Sequence, residues 1–295
     1  HGDVPASDET RYRWASISKP LTSVACARLV ARGEFDLEAD VRQLVPEFPD
    51  NGATIRARDI LCHQSGITHY QGARRTWREY EGAHPFEELA CGLDLFAESP
   101  LRFTPGAQFA YSTHAWTLLG VALERASKKR YHELVRELVL VPAGMKTTEP
   151  DFRSRAIAHR SRGYEKDAAG RLLETFEDDI AWKLPGGGWT STVGDLARFG
   201  AALLGPALLD EAQKTLLWSE QRAADGKATG MGLGFALGTL DKDRLISHSG
   251  GQRKASTFLA LLPEQGLAVA AMCNTEGAPM GELAQAVLRI LRARK

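Results

Sequence analysis

Cysteine is scarce in this chain of 295 residues, since only four are present and no two of them form a C-x-x-C pair. Cys26 and Cys62 lie on apolar segments, so the pattern favours buried free thiols, although a disulfide stays open at this stage. No H-E-x-x-H or similarly close ligand spacing occurs, and we predict neither a metal nor a cofactor. Four histidines are interpreted as structural or exposed: His63, His69, His84 and His114.

The chain also has no excess charge of either sign. Lys and Arg together number 37, as do Asp and Glu, so the formal net charge is zero. Nucleic acids and anionic membranes are bound by excess positive charge, so neither is indicated as a partner. No apolar run approaches membrane-spanning length, and no signal peptide is visible. Because the chain begins at His1 rather than Met, its compartment stays open, cytoplasmic or processed periplasmic.

Hydrophobic residues make up 43% of the chain, enough for one large domain or two lobes. Helical periodicity prevails up to about residue 150, and short strands with tight turns follow from residue 231. We therefore predict an α/β (α+β) fold, with 1–45 and 180–295 forming a lobe with an antiparallel sheet and 46–179 a mainly helical lobe. The predicted strands and the last helix are Gly232–Leu240, Arg244–Ser249, Ala255–Leu262, Leu267–Cys273 and the helix Met280–Leu291.

A serine stands three residues before a lysine at the start of the first predicted helix, in Ser16-Ile17-Ser18-Lys19-Pro20. Proline is tolerated only where a helix needs no backbone donor, so Pro20 places Ser16 in the first turn or just outside it. The apolar residues that follow have helical spacing, and Gly33 is predicted to end the helix in the left-handed conformation. The spacing puts both side chains on one face, as a nucleophile and its base require. Taken alone, S-x-x-K is a weak motif.

Two downstream segments strengthen this interpretation: Tyr111-Ser112-Thr113, where Ser112 or Thr113 caps a predicted helix, and His248-Ser249-Gly250-Gly251 on a predicted strand. Each has an ordinary structural interpretation by itself, as a helix-entry tyrosine, a buried imidazole and a bulge or turn. In this order they resemble the serine β-lactamase and penicillin-binding protein superfamily, in particular its class C-like branch of carboxypeptidases, family VIII carboxylesterases and the mitochondrial serine β-lactamase-like protein.

The resemblance extends over nearly the full length. The supporting segments are Leu61-Cys62-His63-Gln64-Ser65-Gly66-Ile67, Phe103-Thr104-Pro105-Gly106, Gly187-Gly188-Trp189-Thr190-Ser191-Thr192 with Asp195-Leu196-Ala197-Arg198-Phe199, and Pro263 onward to Asn274. It implies the β-lactamase/transpeptidase-like fold, in which helices flank an antiparallel sheet and an all-α lobe adjoins it.

The resemblance also implies catalytic roles. Ser16 would be the acylated nucleophile, Lys19 and Tyr111 the pair that handles protons, and the backbone N–H groups of Ser16 and Gly251 the oxyanion hole. His248 would occupy a catalytic position where many relatives carry Lys. A serine hydroxyl needs a base, and either a neutral Lys19 or a Tyr111 phenolate would serve, so the sequence leaves this choice open.

Three residues would bind substrate: Thr113, Ser249 and Gly250. Thr113 stands where β-lactamases carry an Asn that grips the substrate amide, and a hydroxyl cannot supply both donor and acceptor in that geometry. His248 in place of Lys weakens fixed positive charge near neutral pH. Both departures favour an esterase or peptidase over an efficient β-lactamase.

The sequence thus predicts a serine hydrolase that forms an acyl-enzyme on Ser16 from a small ester, amide or peptide. The alternative is a catalytically silent scaffold of the same fold, used for self-assembly or binding. Two local predictions concern the loop Pro185–Gly188 and a capping box, Thr192 to Asp195, that starts a helix.

One further expectation concerns the edge of the sheet. The family usually has a β-hairpin before the S-x-x-K helix, and here only fifteen residues precede Ser16. An apolar edge strand Leu267–Cys273 would then be bare, which natural sheets avoid. We expect a preceding segment in the natural protein to pair with it, or else residues 1–15 or a second copy in a homo-oligomer to cover it.

Overall fold

The computed structural model describes residues 4–72 and 88–294. Within these residues the α-helices are α1 (Ser18–Ala31), α2 (Ala57–Leu61), α3 (His114–Ser127), α4 (Tyr131–Val135), α5 (Leu184–Gly187), α6 (Val193–Leu204), α7 (Glu211–Trp218) and α8 (Met280–Ala293). The strands are β1 (Tyr12–Arg13), β2 (Glu149–Pro150), β3 (Tyr164–Lys166), β4 (Leu172–Glu174), β5 (Trp189–Ser191), β6 (Ala236–Leu240), β7 (Asp243–Gln252), β8 (Ala255–Leu262) and β9 (Leu267–Cys273). A π-helical turn, Arg136–Leu140, continues α4.

The first helix confirms its sequence signals. A 3₁₀ segment, Ala15–Ile17, leads directly into α1, so Ser16 lies just outside the helix. At the other end Gly33 adopts a φ of +70°, and the Glu34 N–H donates to the Leu29 carbonyl at 2.9 Å. This is the left-handed cap that the sequence predicts. Most of α1 is buried, so the helix is a rigid support for the residues at its start.

Four antiparallel strands form the main sheet in the order β6-β7-β8-β9. Alternate residues of the sheet contribute to two apolar layers. Leu259 and Leu261 belong to the large core that contains α1 and α6, whereas Ala260 and Leu262 pack with Leu288 of α8 on the opposite face. Helices therefore cover both faces of the sheet, as the predicted fold class requires. The bounds of β8 and β9 agree with prediction.

Two strand predictions need correction. The strand predicted from Gly232 begins only at Ala236, because the Leu233 N–H donates to the Leu217 carbonyl and the Gly234 N–H to the Leu61 carbonyl, both at 2.8 Å. These bonds hold the preceding segment against the helices instead of in the sheet. Conversely, β7 extends to Gln252, beyond the predicted end at Ser249, with the two glycines in regular pairing.

The predicted loop Pro185–Gly188 is instead mostly helical, because α5 covers Leu184–Gly187. A Cβ on Gly186 would lie 2.7 Å from the Thr113 Cγ2 atom, and one on Gly188 would lie 2.7 Å from the Leu184 Cα. Glycine is required here for close packing, so the glycine run was a misleading loop signal.

The capping box at α6 is half formed. The Thr192 hydroxyl accepts a hydrogen bond from the Asp195 N–H at 3.3 Å, as predicted. The reciprocal bond is absent from the described hydrogen bonds, and the Asp195 carboxylate instead accepts from the Thr147 N–H at 2.7 Å and the Thr148 hydroxyl at 3.0 Å. Asp195 therefore ties α6 to the chain before β2.

A buried ion-pair network holds β1 in place ahead of Ser16. The Arg13 side chain is 3% exposed, and its Nε donates to Asp151 at 2.7 Å. Its guanidinium also pairs with the Asp178 carboxylate and donates to the Asp178 carbonyl at 2.9 Å. Arg160 lies 2.7 Å from Asp151 as well. Since β1 pairs with β5, this network links the nucleophile segment to the middle of the chain.

In the described residues, β9 pairs with β8 on one side and with no strand on the other. Residues 4–15 form no strand pairing with it, and β1 pairs with β5 instead. The expected preceding segment and the predicted two-lobe division stay predictions.

The thiols of all four cysteines are free, and Cys26 and Cys62 are buried, as predicted. A search of the described helices finds none that combines the length and the apolar character needed to cross a bilayer.

Candidate active site

The nucleophile candidate follows a strained residue. The Trp14 backbone is anchored on both sides, because its N–H donates to the Trp189 carbonyl at 2.8 Å and its carbonyl accepts from the Thr257 hydroxyl at 2.8 Å. Ala15 then adopts a φ of +49°. A non-glycine residue in this region costs about 1–3 kcal/mol and is kept where the surrounding structure imposes it. The turn leaves Ser16 partly accessible between buried neighbours.

Two polar side chains converge on the Ser16 hydroxyl. The Lys19 Nζ lies 3.1 Å from the Ser16 Oγ, and the Tyr111 hydroxyl donates to the same oxygen at 2.7 Å. Lys19 comes from the first turn of α1 and Tyr111 from the segment that enters α3. The structure thus brings together the three residues on which the sequence interpretation depends, at hydrogen-bonding distances that suit proton transfer.

Lys19 is fully buried and has no carboxylate partner among the described ion pairs. Its ammonium lies 2.7 Å from the Gly186 carbonyl and 3.3 Å from the Thr113 hydroxyl. Burial, together with the positive charge of Lys183, holds the pKa of Lys19 well below its usual value. The neutral amine is therefore more accessible here than in an exposed lysine.

The pKa of Tyr111 is shifted in the opposite direction from that of Lys19. Burial raises its pKa above the ordinary tyrosine value, even though the Ser16 contact favours ionisation. A phenolate is accordingly disfavoured, and the neutral hydroxyl remains a donor to Ser16. Between the two bases that the sequence left open, the electrostatics of the site favour Lys19.

His63 holds Tyr111 from behind, and sequence reasoning missed this. Its ring stacks on the Tyr111 ring at 4.2 Å with an interplanar angle of 26°. Its carbonyl accepts from the Ala110 N–H at 2.8 Å, and its Nδ1 accepts from the Ser112 N–H at 3.3 Å, so both backbone neighbours of Tyr111 are tied to it. The residue adopts a φ of +60°. Its place in the supporting segment Leu61–Ile67 was the available signal.

Two more of the histidines interpreted as structural surround the same region. The His69 Nδ1 accepts from the Thr113 N–H at 3.2 Å, and His114 stacks on Phe96 at 4.7 Å. Burial is the main cause that lowers the pKa of His69 to about 4 and that of His114 to about 3. Both rings are therefore neutral at pH 7. His84 lies outside the described residues.

Strand β7 presents alternate faces at the site. His248 is buried, and its Nδ1–H donates to the Ser249 carbonyl at 2.7 Å. Burial and the charge of Lys19 lower the pKa of His248 to about 3, so the ring carries no positive charge at pH 7. Ser249 and Gly251 are exposed on the other face. The structure thus places these two residues where a ligand can reach them.

Gly250 is required for the close approach of β7 to the nucleophile segment. A Cβ at this position would lie 2.0 Å from the Thr257 Oγ1 and 2.4 Å from the Trp14 carbonyl oxygen. Such distances are far below van der Waals contact, so any larger residue would push the strand away from Ser16.

Thr113 is buried, and its hydroxyl faces Lys19 instead of open solvent. The helix cap expected at this point is supplied by Ser112, whose hydroxyl accepts from the Ala115 N–H at 3.2 Å. Among residues 4–72 and 88–294, no group of three or more His, Cys, Asp or Glu side chains is arranged to hold a metal ion. The chemistry available here is that of a serine, a lysine and a tyrosine.

Comparison with known proteins agrees with this geometry. The mouse (Mus musculus) mitochondrial serine beta-lactamase-like protein LACTB is 27% identical to this chain over an alignment that covers 95% of this chain and 71% of that protein. Esterase EstB of Burkholderia gladioli is 33% identical over 153 residues, 48% of this chain and 39% of that protein. The octameric penicillin-binding protein homologue from Pyrococcus abyssi superposes with a TM-score of 0.81 at 23% identity, covering 99% of this chain and 68% of its own.

The structural match shows the fold, and a family model extends the relationship to the sequence. The model described as Beta-lactamase matches residues 1–293, essentially the whole chain. This family belongs to the serine β-lactamase and penicillin-binding protein-like superfamily, and its members are serine hydrolases. With the fold, the arrangement around Ser16 and this match in agreement, the chain belongs to the beta-lactamase family.

Proposed function

We propose that this protein is a serine hydrolase that forms an acyl-enzyme on Ser16 and hydrolyses a small ester or amide. The observation that carries the proposal is the convergence of the Lys19 amine and the Tyr111 hydroxyl on the Ser16 Oγ, at 3.1 and 2.7 Å. Membership of the beta-lactamase family supports it.

In the acylation step, the neutral Lys19 amine takes the Ser16 proton while the Oγ attacks the substrate carbonyl carbon. The backbone N–H groups of Ser16 and Gly251 stabilise the resulting oxyanion, and such a donor contributes about 10²- to 10³-fold to the rate. Tyr111 then gives its proton to the leaving oxygen or nitrogen and regains one from the Lys19 ammonium. The carbon–oxygen or carbon–nitrogen bond breaks, and the acyl group stays on Ser16.

Deacylation reverses these proton transfers. A water molecule takes the place of the leaving group and passes a proton to Tyr111 as Tyr111 delivers one to the Lys19 amine. The water oxygen attacks the acyl carbon, and the Ser16 Oγ leaves with the proton returned from Lys19. One water molecule is consumed, and the base is neutral again. General acid–base catalysis of this kind contributes about 10²- to 10⁴-fold.

The surroundings support esters or small amides over β-lactams as substrates. Thr113 offers a single hydroxyl that is directed at Lys19, so it cannot replace an asparagine amide toward substrate. Of the two predicted contacts on β7, Ser249 is exposed and would contact substrate, whereas Gly250 is buried against the nucleophile segment. The name of the relative EstB supports an ester substrate. The octameric homologue motivates a measurement of oligomeric state.

Labelling with a fluorophosphonate probe, followed by peptide mass spectrometry, tests the nucleophile. We expect a single modified residue, Ser16, and no labelling in Ser16→Ala. Ser219→Ala is the matched control, because Ser219 is exposed and lies at the end of α7. Modification of Ser191 or Ser249 in place of Ser16 would overturn the assignment.

Turnover tests the substrate class. We expect p-nitrophenyl butyrate to be hydrolysed with a higher kcat/KM than nitrocefin, and both activities to be lost in Ser16→Ala. A nitrocefin kcat/KM equal to or above that of the ester would contradict the preference. If neither labelling nor turnover is detected, the silent scaffold is favoured instead.

A further inference from the structure

Lys183 is a second buried lysine near the site, and neither the sequence motifs nor the proposed mechanism gives it a chemical task. It is 8% exposed and follows Trp182 in a 3₁₀ turn, Ala181–Lys183, that leads into α5. Its Nζ lies 5.5 Å from the centre of the Tyr70 ring and 5.7 Å from that of Trp182. Two aromatic rings therefore border the ammonium.

Among the described residues, none forms a hydrogen bond or an ion pair with the Lys183 ammonium. Asp178 is close enough for the charge of Lys183 to help lower its pKa, against the effect of burial. The Asp178 oxygens, however, face Arg13 and Arg253, with the latter 3.7 Å away. Long charged side chains are seldom this buried without a hydrogen bond or an ion pair, so this ammonium is an unusual feature.

Lys183 adjoins the nucleophile segment through Gly187. A Cβ built on Gly187 would lie 3.6 Å from the Lys183 Cδ, 3.5 Å from the Gln252 Oε1 and 3.8 Å from the carbonyl carbon of Ala15. Gln252 follows Gly251 on β7, and its amide nitrogen is buried without a hydrogen-bond partner in the described residues. Lys183 and Gln252 thus both approach Gly187, next to the residue that precedes Ser16.

We propose that Lys183 binds a carboxylate of the substrate, with the Gln252 amide beside it, so that the preferred ester or amide is anionic. This inference rests on the proposed hydrolase function and names the chemical class of its substrate. An incoming carboxylate compensates the buried ammonium and receives a charge-assisted hydrogen bond. Lys183 also provides the positive charge for anion recognition that the neutral His248 does not supply.

The consequence is a preference between esters of similar size. A hydrogen bond to a charged group inside a protein corresponds to about a 10- to 100-fold difference in affinity or rate. We expect wild-type protein to hydrolyse mono(p-nitrophenyl) glutarate faster than p-nitrophenyl valerate, which is of similar length but neutral. A second pair, 4-carboxyphenyl butyrate and phenyl butyrate, carries the charge on the leaving group instead. If the anionic member is hydrolysed faster in only one of the two pairs, that pair shows on which side of the scissile bond the carboxylate binds.

The test measures kcat/KM for both pairs in wild type, Lys183→Met and Lys183→Arg. The expected result is a loss in Lys183→Met that is about 10- to 100-fold larger for the anionic member of one pair than for its neutral partner. Lys183→Arg retains the charge and should keep most of the preference. Lys242→Met, on the exposed turn between β6 and β7, is the matched control and should leave every ratio unchanged.

Equal losses for anionic and neutral esters in Lys183→Met would overturn the inference, because Lys183 would then act only through the pKa of Lys19. Absence of any preference in wild type would also overturn it while leaving the hydrolase proposal intact. If the wild type hydrolyses none of the four esters and Ser16 is not labelled by the fluorophosphonate, both proposals fail.

Discussion

Replacement of Lys19 by Met tests whether the folded protein keeps this amine neutral. In the unfolded chain a lysine holds its proton up to a pH of about 10.4. In the folded protein, burial and the charge of Lys183 lower the pKa, and no described carboxylate compensates. Between the lowered pKa and the ordinary one, the unfolded state therefore binds one more proton than the folded state.

The difference of one bound proton determines how steeply stability depends on pH. Wild-type stability should rise with pH across this window by about 1.4 kcal/mol per pH unit, as linkage requires for one proton. Lys19→Met removes this pH-dependent contribution to stability. The free energy of unfolding of the variant, minus that of wild type, should therefore fall with rising pH by the same amount per pH unit. Loss of the 2.7 Å contact with the Gly186 carbonyl adds an offset that does not depend on pH. The slope, not the offset, is the prediction.

The assay is urea denaturation of both proteins at several pH values between 7.5 and 9.5. The neighbouring His63, His69 and His248 have lowered pKa values, so they titrate below this range and cancel in the difference. Lys242→Met, with an exposed side chain, should give a difference from wild type that is flat with pH. A flat difference for Lys19→Met as well would show that Lys19 stays protonated in the folded protein, and would refute its role as the resting base.

Three further substitutions test the supports of the site. Gly250→Ala should lower stability by about 1–3 kcal/mol in denaturant melts and remove most esterase activity, because its Cβ clashes with the nucleophile segment. Arg13→Met should cost about 3–5 kcal/mol, measured in the same way, because it removes the buried partner that Asp151 and Asp178 share. His63→Asn, which tolerates a positive φ, should lower kcat about 3- to 10-fold through lost stacking on Tyr111, with KM for the neutral ester little changed.

Each substitution has a comparison that can contradict it. Gly238→Ala lies in β6, where a Cβ meets no atom within 4 Å, and equal effects of the two glycine variants would contradict the steric reason. Arg162→Met removes an exposed pair with Glu174, so a loss as large as that of Arg13→Met would show that burial is not decisive. An unchanged kcat in His63→Asn would remove His63 from the positioning of Tyr111.

Much of the architecture could be predicted because its signals are local. Pro20 and Gly33 mark the ends of α1, and short apolar runs bounded by tight turns predict β8 and β9 with the bounds that the structure has. Backbone conformation and side-chain periodicity act over a few residues, so the sequence carries them directly. Failures occurred where distant contacts decide the backbone, as at Gly232, whose neighbours bond to α7 and α2 instead of to the sheet.

The sequence by itself determined which residues could react, because Ser16 and Lys19 are three positions apart at a helix start and Tyr111 follows in a recognisable segment. Only the tertiary structure decided the pKa values and the orientations of these side chains. The Lys19 pKa depends on burial and on Lys183, and the orientation of Tyr111 depends on His63. Desolvation, charge interaction and stacking all depend on distances in space between residues far apart in the chain. For that reason no local pattern could reveal the lowered pKa of Lys19 or the Lys183 ammonium that lacks an ion pair among the described residues.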